Sequence, residues 1–362
     1  MKTSEKFPAK ADLYLQLTGG KRIFILGLLA ALAVCLLAAV GAGSASIGVK
    51  EVFQVILSKI LPGYAGQYSS LAETVILDLR LPRVFLAVLA GFSLAGAGAV
   101  MQAVLRNPLA DPYILGISAG ASFGAALAVI LGAGLIGSLG ISSVYMIVTN
   151  AFLFGLFTMF LIYGIARLKG AAPETMILAG VALGYLYSAG VSLLKYISSH
   201  EQLRELVVWL MGGLWGAKWE TVYLLLPVTI GCLAFLLRFA WDLNALGAGE
   251  EVAANLGVNV TRLRRNCAVF ASLLASATVA FTGIIGFIGL VSPHLCRFIV
   301  GNDNRFLIPC SCLTGALLLL GADTLSRTLI SPTEIPVGII TSLIGVPFFL
   351  YLLFKQRKRW WG

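Results

Sequence analysis

The sequence contains few charged residues. Only 12% of its 362 residues are Asp, Glu, Lys or Arg, while 59% are hydrophobic. Soluble domains carry about 25% charged residues, so this composition excludes a soluble globular protein and indicates an integral membrane protein. The apolar stretches are continuous rather than alternating segments of about ten residues, which favours membrane-spanning α-helices over a transmembrane β-barrel.

Common catalytic and nucleotide-binding motifs are also missing. The chain has two histidines, His200 and His294, and neither a G-x-x-x-x-G-K-[ST] nor a G-x-S-x-G sequence, so it has no P-loop with which to hydrolyse ATP. Its six cysteines fall in or beside apolar stretches without the spacing of metal ligands. We therefore predict that this chain is not an enzyme and carries no catalytic residue, no metal and no cofactor.

Ten apolar stretches are candidates for membrane spans, since a helix needs about 20 residues to cross the hydrocarbon core. The predicted spans are 23–43, 82–104, 114–133, 143–166, 175–197, 222–240, 266–284, 286–300, 306–325 and 335–354. The eighth is short and contains Pro293 and His294. The sequence thus predicts an all-α integral membrane protein with a single ten-span domain, 23–354, between tails 1–22 and 355–362.

The first apolar stretch has an alternative interpretation as a secretory signal. It follows Lys21 and Arg22, as the core of a signal peptide would. However, it is longer than the 7–15 apolar residues typical of such a core, so we favour a retained first span.

The distribution of basic residues orients the predicted spans. With both termini in the cytoplasm, most of the 26 lysines and arginines fall in cytoplasmic segments, as the positive-inside rule requires. The net charge of +10 therefore reports orientation in the plasma (inner) membrane and does not indicate nucleic-acid binding.

Glycines predict how the spans pack. Many of the 40 glycines recur at four-residue spacing along a span, which lets helix backbones approach closely in lipid. Gly283, Gly286 and Gly289 lie close together between the seventh and eighth spans and predict a broken helix or sharp reversal there. Such irregular backbone is tolerated within a membrane only where protein or a water-filled cavity covers it.

Three arginines lie where few positive charges are expected, at the predicted outer ends of two spans. Arg80 and Arg83 flank Pro82, and Arg327 follows Asp323 by four residues, so Asp323 and Arg327 share a helix face and can pair. A single arginine would be explained by snorkelling to lipid headgroups. Three together favour an anionic partner that docks on the outer face.

The longest internal cytoplasmic loop, 241–265, contains a predicted short helix. Glu250 and Glu251 suit the positive end of the helix dipole, and Gly257 suits a left-handed helix stop. The apolar residues Leu246, Val252, Ala253 and Leu256 form a stripe too small to fold alone. From these residues, a helix resting on the membrane is as plausible as one that docks into a partner protein.

A second cytoplasmic segment, between the second and third spans, has the sequence RNPLADP at 106–112. Two prolines four residues apart, with Asn and Asp between them and beside them, predict a rigid turn that cannot continue a helix. We favour this structural role over contact with a substrate.

Six blocks of sequence resemble the FecCD-type permeases of ABC importers for vitamin B12 and iron–siderophore complexes. They are LRLPR at 79–83, AGAGAVMQAVLRNPLADPYILGISAGA at 95–121, LAGVALG at 178–184, LGAGEEVAANLGV at 246–258, GFIGLVSPHLCRF at 286–298 and GADTLSRTLISPTEIPVGIITSLIGVPFFLYLL at 321–353. The resemblance implies the type II importer fold and a homodimer that binds two cytoplasmic ATPase subunits and an extracytoplasmic binding protein. ATP and Mg²⁺ would then reside on the ATPase subunits.

The resemblance also implies roles for individual residues. Arg80, Arg83 and Arg327 fall on positions that receive glutamates of the binding protein. The coupling element that contacts the ATPase would include Leu246, Gly249, Glu250, Glu251, Ala253, Leu256 and Gly257. The inner gate would comprise Ala171, Ala172, Pro173, Glu174 and Thr175. The cargo would be an iron complex (siderophore or haem) or cobalamin. An ion-coupled secondary transporter without an ATPase is the alternative.

Overall fold

The computed structural model describes residues 10–43, 47–61, 66, 68–132, 143–168 and 173–355, and within them all regular secondary structure is helical. The helices are α1 (Lys10–Gly41), α2 (Val49–Ile60), α3 (Ser70–Thr74), α4 (Leu81–Val104), α5 (Ile117–Leu131), α6 (Ser143–Arg167), α7 (Pro173–Ile197), α8 (His200–Met211), α9 (Trp219–Arg238), α10 (Ala240–Gly247), α11 (Glu250–Asn255), α12 (Val260–Thr282), α13 (Ile288–Val300), α14 (Asn304–Thr328) and α15 (Val337–Lys355). A π-helical stretch, Val75–Arg80, joins α3 to α4 without a break.

The ten predicted spans correspond to ten apolar helices, which confirms the all-α membrane fold. Seven, namely α1, the continuous α3–α4 helix, α6, α7, α9, α12 and α14, are long and apolar enough to cross a membrane. The other three predicted spans are the shorter apolar helices α5, α13 and α15. The eighth span, α13, has only 13 residues.

Helix α4 is the central helix of the bundle. It packs against α9, α12, α13 and α14, and nearly all of its residues are buried. Glycines make this packing possible: a Cβ on Gly98 would lie 1.9 Å from the carbonyl oxygen of Gly289 on α13, and one on Gly91 would lie 2.5 Å from that of Gly315 on α14. No larger side chain fits at such distances, so helix backbones approach closely here. The close approach predicted for glycines at four-residue spacing is confirmed on α5, where a Cβ on Gly120 or Gly124 would lie 2.9 or 2.4 Å from a carbonyl oxygen of α6.

The predicted break between the seventh and eighth spans is confirmed at 283–287, which is not helical. Gly283 ends α12 with a φ of 65°, and Phe287 precedes α13 with a φ of 69°. The surrounding protein supplies hydrogen-bond partners, since the Tyr113 hydroxyl donates to the Ile285 carbonyl at 3.0 Å and Gly213 N–H donates to the Thr282 carbonyl at 2.8 Å. The irregular backbone is therefore covered by other elements, as a nonpolar environment demands.

Helix α7 lies at the edge of the bundle. Only 22% of the residues in its most apolar 18-residue segment are buried. The side chains of four residues are more than half exposed, namely Leu178, Tyr185, Leu193 and Tyr196. A large exposed apolar surface marks either lipid or another protein as the neighbour.

Candidate functional site

The three predicted outer arginines converge at one end of the bundle. Asp323, whose side chain is fully buried, joins two of them: its Oδ1 lies 2.9 Å from Arg83 Nε, and its Oδ2 lies 3.0 Å from Arg327 Nε. The predicted pairing of Asp323 with Arg327 one helical turn later is therefore confirmed. Arg83 also donates from Nη1 to Glu334 Oε2 at 2.8 Å, and the Glu334 side chain is 32% exposed.

Two of these arginines also close the end of α1. Arg80 Nη1 donates to the carbonyl oxygens of Val40 and Gly41 at 2.9 and 3.1 Å, and Arg327 donates to those of Ala39 and Ala42. The last carbonyls of a helix have no partner within the helix, so these guanidinium groups cap it. The sequence analysis missed this role because the capped residues lie far from Arg80 and Arg327 along the chain.

All three arginines are consequently buried, with relative exposures of 5% for Arg80, 9% for Arg83 and 5% for Arg327. The outermost charged member of the cluster is Glu334, in the turn between α14 and α15. The three arginines are thus held in place by the carboxylates of Asp323 and Glu334 and by the carbonyl groups at the C-terminal end of α1.

The loop predicted for coupling lies at the opposite ends of α4 and α14 from the arginine cluster. It forms α10 and α11, and Leu246 and Ala253 anchor these helices because both side chains are fully buried. Helix α11 begins after Gly249, whose φ is 132°, and is followed by Gly257, whose φ is 85°. Gly257 N–H donates to the Ala254 carbonyl and Val258 N–H to the Ala253 carbonyl, which is the predicted left-handed helix stop.

Two side chains of the loop project apolar surface outward. Val252 is 44% exposed and Leu256 is 69% exposed, and Glu251 lies beside them on the surface. The predicted apolar stripe is therefore divided into two parts. Leu246 and Ala253 pack against the bundle, whereas Val252 and Leu256 are exposed on the surface of the described chain.

Glu250 connects this loop to a long helix. Its carboxylate accepts hydrogen bonds from both terminal nitrogens of Arg264, and the bond from Arg264 Nη1 measures 3.3 Å. The Arg264 side chain is 7% exposed and lies on α12. These hydrogen bonds lower the pKa of Glu250 below its ordinary value, so the carboxylate is charged at neutral pH. The sequence analysis placed Glu250 at the positive end of the helix dipole and in the coupling element, but it did not identify Arg264 as the partner of Glu250.

Part of the predicted inner gate lies outside the described residues, namely Ala171 and Ala172. Pro173, Glu174 and Thr175 form the first turn of α7. Pro173 is the first residue of the helix, where the missing N–H costs no hydrogen bond. Glu174 is exposed and suits the positive end of the helix dipole.

The segment at 106–112 forms the predicted rigid turn. Asn107 Oδ1 accepts a hydrogen bond from Leu109 N–H at 2.9 Å, and Asp111 Oδ1 accepts one from Tyr113 N–H at 2.7 Å. Each side chain mimics a backbone turn two residues ahead. Burial raises the pKa of Asp111 to about 6, while the Tyr113 hydrogen bond opposes this change.

The described residues contain no cluster of three or more metal-ligating His, Cys, Asp or Glu side chains. All six cysteines are free thiols, and five of them are buried. Neither end of the bundle therefore presents an evident metal centre within the described ranges.

A family model for the FecCD transport family matches residues 31–355. This chain belongs to that family. It is 44% identical to the hemin transport system permease protein of Yersinia pestis, over 78% of this chain and 84% of the relative. It is 44% identical to the cobalamin import system permease protein of Halobacterium salinarum, over 80% of this chain and 75% of the relative.

A solved structure of a metal-chelate type ABC transporter, described as inward-facing, is similar to this chain. The TM-score is 0.79 at 35% sequence identity, with 92% of this chain and 99% of that chain covered. Family membership and this likeness identify the chain as a multi-pass membrane protein with the permease fold.

Proposed function

We propose that this chain is the permease subunit of a binding-protein-dependent ABC importer. It moves an iron complex (siderophore or haem) or cobalamin into the cytoplasm, driven by ATP hydrolysis on partner subunits. The two relatives described above are named for hemin and cobalamin, and further relatives are named for iron(3+)-citrate, iron(3+)-hydroxamate and molybdate. The substrate class is therefore proposed from the cargo that predominates among the relatives and not from any residue of this chain. Both termini lie in the cytoplasm of the proposed assembly, and α10–α11 faces that side.

The observation that carries this proposal is the construction of the α10–α11 loop. Leu256 and Val252 offer exposed apolar side chains to a partner, while Leu246 and Ala253 are buried in the bundle. The Glu250–Arg264 ion pair joins the same loop to α12. A force applied at Leu256 by an ATPase subunit would thus reach a membrane-spanning helix through a charged contact, which is what an energy-coupling element requires.

The arginine cluster supports docking of a binding protein at the other end. Glutamates of that protein would compete with Glu334 for Arg83, whereas Arg80 and Arg327 hold the end of α1 in place. Reversing all three arginines to glutamate would leave Asp323 beside three new carboxylates in a buried site, so loss of docking in such a variant would not be informative. Docking is better tested at Glu334.

The exposed face of α7 supports a homodimer. Leu178, Tyr185 and Leu193 provide an apolar surface to a second copy, and the first turn of α7 contains three residues of the predicted gate at 171–175. In the dimer, α7 and its counterpart would border the transport pathway, and opening of the gate would follow movement of the coupling element.

The central test replaces the most exposed apolar residue of the loop, Leu256→Asp. The chain is co-expressed with its ATPase and binding protein and reconstituted into proteoliposomes. We expect the variant to lose ATPase co-purification and ATP-driven uptake. Leu71→Asp is the matched control, because Leu71 is 67% exposed on α3, far from the coupling loop and outside the arginine cluster. Intact co-purification and uptake in Leu256→Asp would refute the proposal.

The alternative function, an ion-coupled secondary transporter, predicts the opposite energetics. Uptake would then continue in vesicles containing this chain alone and no ATP, and it would collapse when an ionophore removes the ion gradient. Among the described residues, the charged side chains concentrate towards the ends of the long helices, which does not favour such a site at mid-membrane.

A further inference from the structure

A polar cavity of about 550 Å³ lies next to the coupling loop but is separate from its exposed face. It is bordered by the C-terminal end of α4, by α10 and by the N-terminal end of α14. The polar residues that line it are Arg106, Asn244, Arg297, Asn302, Asp303 and Asn304. Two guanidinium groups and three amides therefore surround it.

Asp303 is the single carboxylate among those lining residues, and it is paired with Arg305 and hydrogen-bonded by Asn244. Arg305 Nε lies 2.9 Å from Asp303 Oδ1, Arg305 Nη2 lies 2.6 Å from Oδ2, and Asn244 donates to Oδ1 at 2.8 Å. Although burial raises the pKa of Asp303, these hydrogen bonds lower it below its ordinary value.

Arg106 and Arg297 add two positive charges to the lining. Arg297 Nη2 donates to the neutral Gln102 Oε1 at 3.0 Å. The nearby Glu250, whose carboxylate interacts electrostatically with Arg106, is already paired with Arg264, so the surroundings keep a positive balance.

Arg106 adopts an uncommon backbone conformation. Its φ is 48°, in the left-handed region that side-chain-bearing residues rarely occupy. It follows the final turn of α4, where it lines the cavity. A strained backbone at a site-lining residue is a reason to look for a function, and here the residue brings a guanidinium group to a polar cavity.

The side chains that adjoin Asp303 resemble those of a membrane interface. Arg305, which holds Asp303, stacks over the Trp241 ring at 3.9 Å, and Trp241 is 64% exposed. Lys21 of α1 lies over the adjacent Phe306 ring at 5.2 Å. Exposed tryptophan alternating with basic side chains is typical of the headgroup level of a bilayer. Basic and aromatic side chains of α10, α14 and α1, which we call the aromatic rim, thus lie next to Asp303 at one side of the cavity.

We propose that this cavity binds the phosphate group of an anionic phospholipid from the cytoplasmic leaflet. Arg106 and Arg297 contact the phosphate oxygens, the asparagines bind the headgroup hydroxyls, and the acyl chains leave past Trp241 and Phe306. Basic pockets between helices on the cytoplasmic side are suited to anionic headgroups. The same phosphate chemistry occurs in free phosphate, but the aromatic rim favours a ligand that also has apolar chains.

The inference uses the orientation given under the proposed function, but its test needs neither the ATPase nor the binding protein. A lipid associated with this site would contact α10 directly, so the lipid composition of the membrane would influence the coupling loop. Failure of lipid binding would leave the permease assignment intact. Failure of ATP-driven uptake would leave lipid binding intact.

Gly247 permits a test that leaves the arginines in place. A Cβ at Gly247 would have no heavy atom within 4 Å, and the residue lines the cavity. Gly247→Asp therefore introduces a carboxylate that competes for the two guanidinium groups, and Gly247→Asn is its uncharged control of equal size. Arg106→Gln tests the cation itself, with exposed Arg262→Gln as the matched control.

The full chain is titrated in detergent with phosphatidylglycerol or phosphatidylcholine, and bound lipid is counted by native mass spectrometry. We expect phosphatidylglycerol to bind more tightly, and binding to weaken about fivefold in Arg106→Gln and at least as much in Gly247→Asp. Gly247→Asn and Arg262→Gln should bind like the unaltered chain. Equal binding of the two lipids, equal affinity in Gly247→Asp and Gly247→Asn, or displacement by inorganic phosphate at the same concentration as lipid would overturn the proposal.

Discussion

Replacing Glu250 by Gln should release α11 from the bundle more readily than replacing its partner Arg264. The substitution removes the charge that holds both terminal nitrogens of Arg264 but keeps the size of the side chain. Arg264 would then remain as a cation on α12 with only 7% of its side chain exposed. Leaving a buried charge without its partner costs more free energy than the ion pair had contributed to stability.

The expected size of the effect follows from the unequal burial of the two partners. Exposed ion pairs contribute about 0.2–1 kcal/mol, and breaking a fully buried pair costs about 3–5 kcal/mol. Glu250 is 48% exposed on its side chain while Arg264 is buried, so the free energy of opening α11 should fall by an intermediate amount of about 1.5–2 kcal/mol. This corresponds to about 10- to 30-fold faster hydrogen exchange of the amides in α11.

The assay is hydrogen exchange measured by mass spectrometry on the full chain in detergent, using peptides that cover 250–258. Arg264→Gln should accelerate exchange less than Glu250→Gln, because water can solvate the half-exposed Glu250 that remains. The double variant should also be less affected than Glu250→Gln, since it leaves no buried cation. Glu251→Gln serves as the matched control, being a neighbouring exposed acid for which the described chain provides no ion-pair partner.

The reasoning would be refuted if exchange in α11 were the same in Glu250→Gln and Glu251→Gln. It would also be refuted if Arg264→Gln had the larger effect, because the stranded cation would then not be the origin of the cost. Accelerated exchange throughout the bundle would indicate general unfolding, which peptides from α4 would report.

Three further predictions concern packing, pH and docking. Gly98→Ala should sharply reduce the yield of folded protein, because its Cβ would lie 1.9 Å from the Gly289 carbonyl oxygen. Gly164→Ala is the control: its Cβ would have no heavy atom within 4 Å, so the variant should be neutral or stabilising in thermal-unfolding assays. Asp111→Asn should gain stability relative to the unaltered chain as the pH rises from about 3.8 to about 6, by at most about 3 kcal/mol, and the difference should level off above that range. The reason is that the raised pKa of Asp111 makes its proton stabilise the fold, and this proton is lost within that pH range; a difference in melting temperature that does not change across it would contradict this. Glu334→Gln should strengthen association with the binding protein severalfold in a binding titration, since it removes the carboxylate that competes for Arg83; unchanged or weaker association would argue against docking at Arg83.

Much of the fold follows from the sequence because lipid restricts the choice of structure. Apolar stretches must form helices that satisfy their own hydrogen bonds, so ten spans could be located from hydropathy alone. Features that depend only on residues close together in the chain could also be predicted. Gly257 ends α11 in a left-handed conformation, and Asp323 pairs with Arg327 across one helical turn, as the residue types and spacing predicted.

The arginine cluster shows what the sequence could not reveal. Arg83 is separated from Asp323 by 240 residues, and Arg80 from the carbonyl of Val40 by 40, and no periodicity indicates either contact. From one sequence, three arginines at an outer boundary looked available to a partner. In the fold, they first satisfy a buried aspartate and the end of α1, because an unpaired cation or helix carbonyl in an apolar environment is costly.

This burial changes how docking and transport can be linked. If a binding-protein glutamate displaces Glu334 from Arg83, the charge balance around Asp323 changes, and Asp323 lies on α14 while Arg83 lies at the start of α4. Both helices continue to the opposite end of the bundle, where α4 leads into Arg106 and α14 begins beside Asp303 and α10. The proposed docking site and the proposed coupling loop are therefore joined by two closely packed helices whose backbones meet at Gly91 and Gly315. A rigid contact of that kind can transmit a displacement, because no side chain lies between the helices there to absorb it.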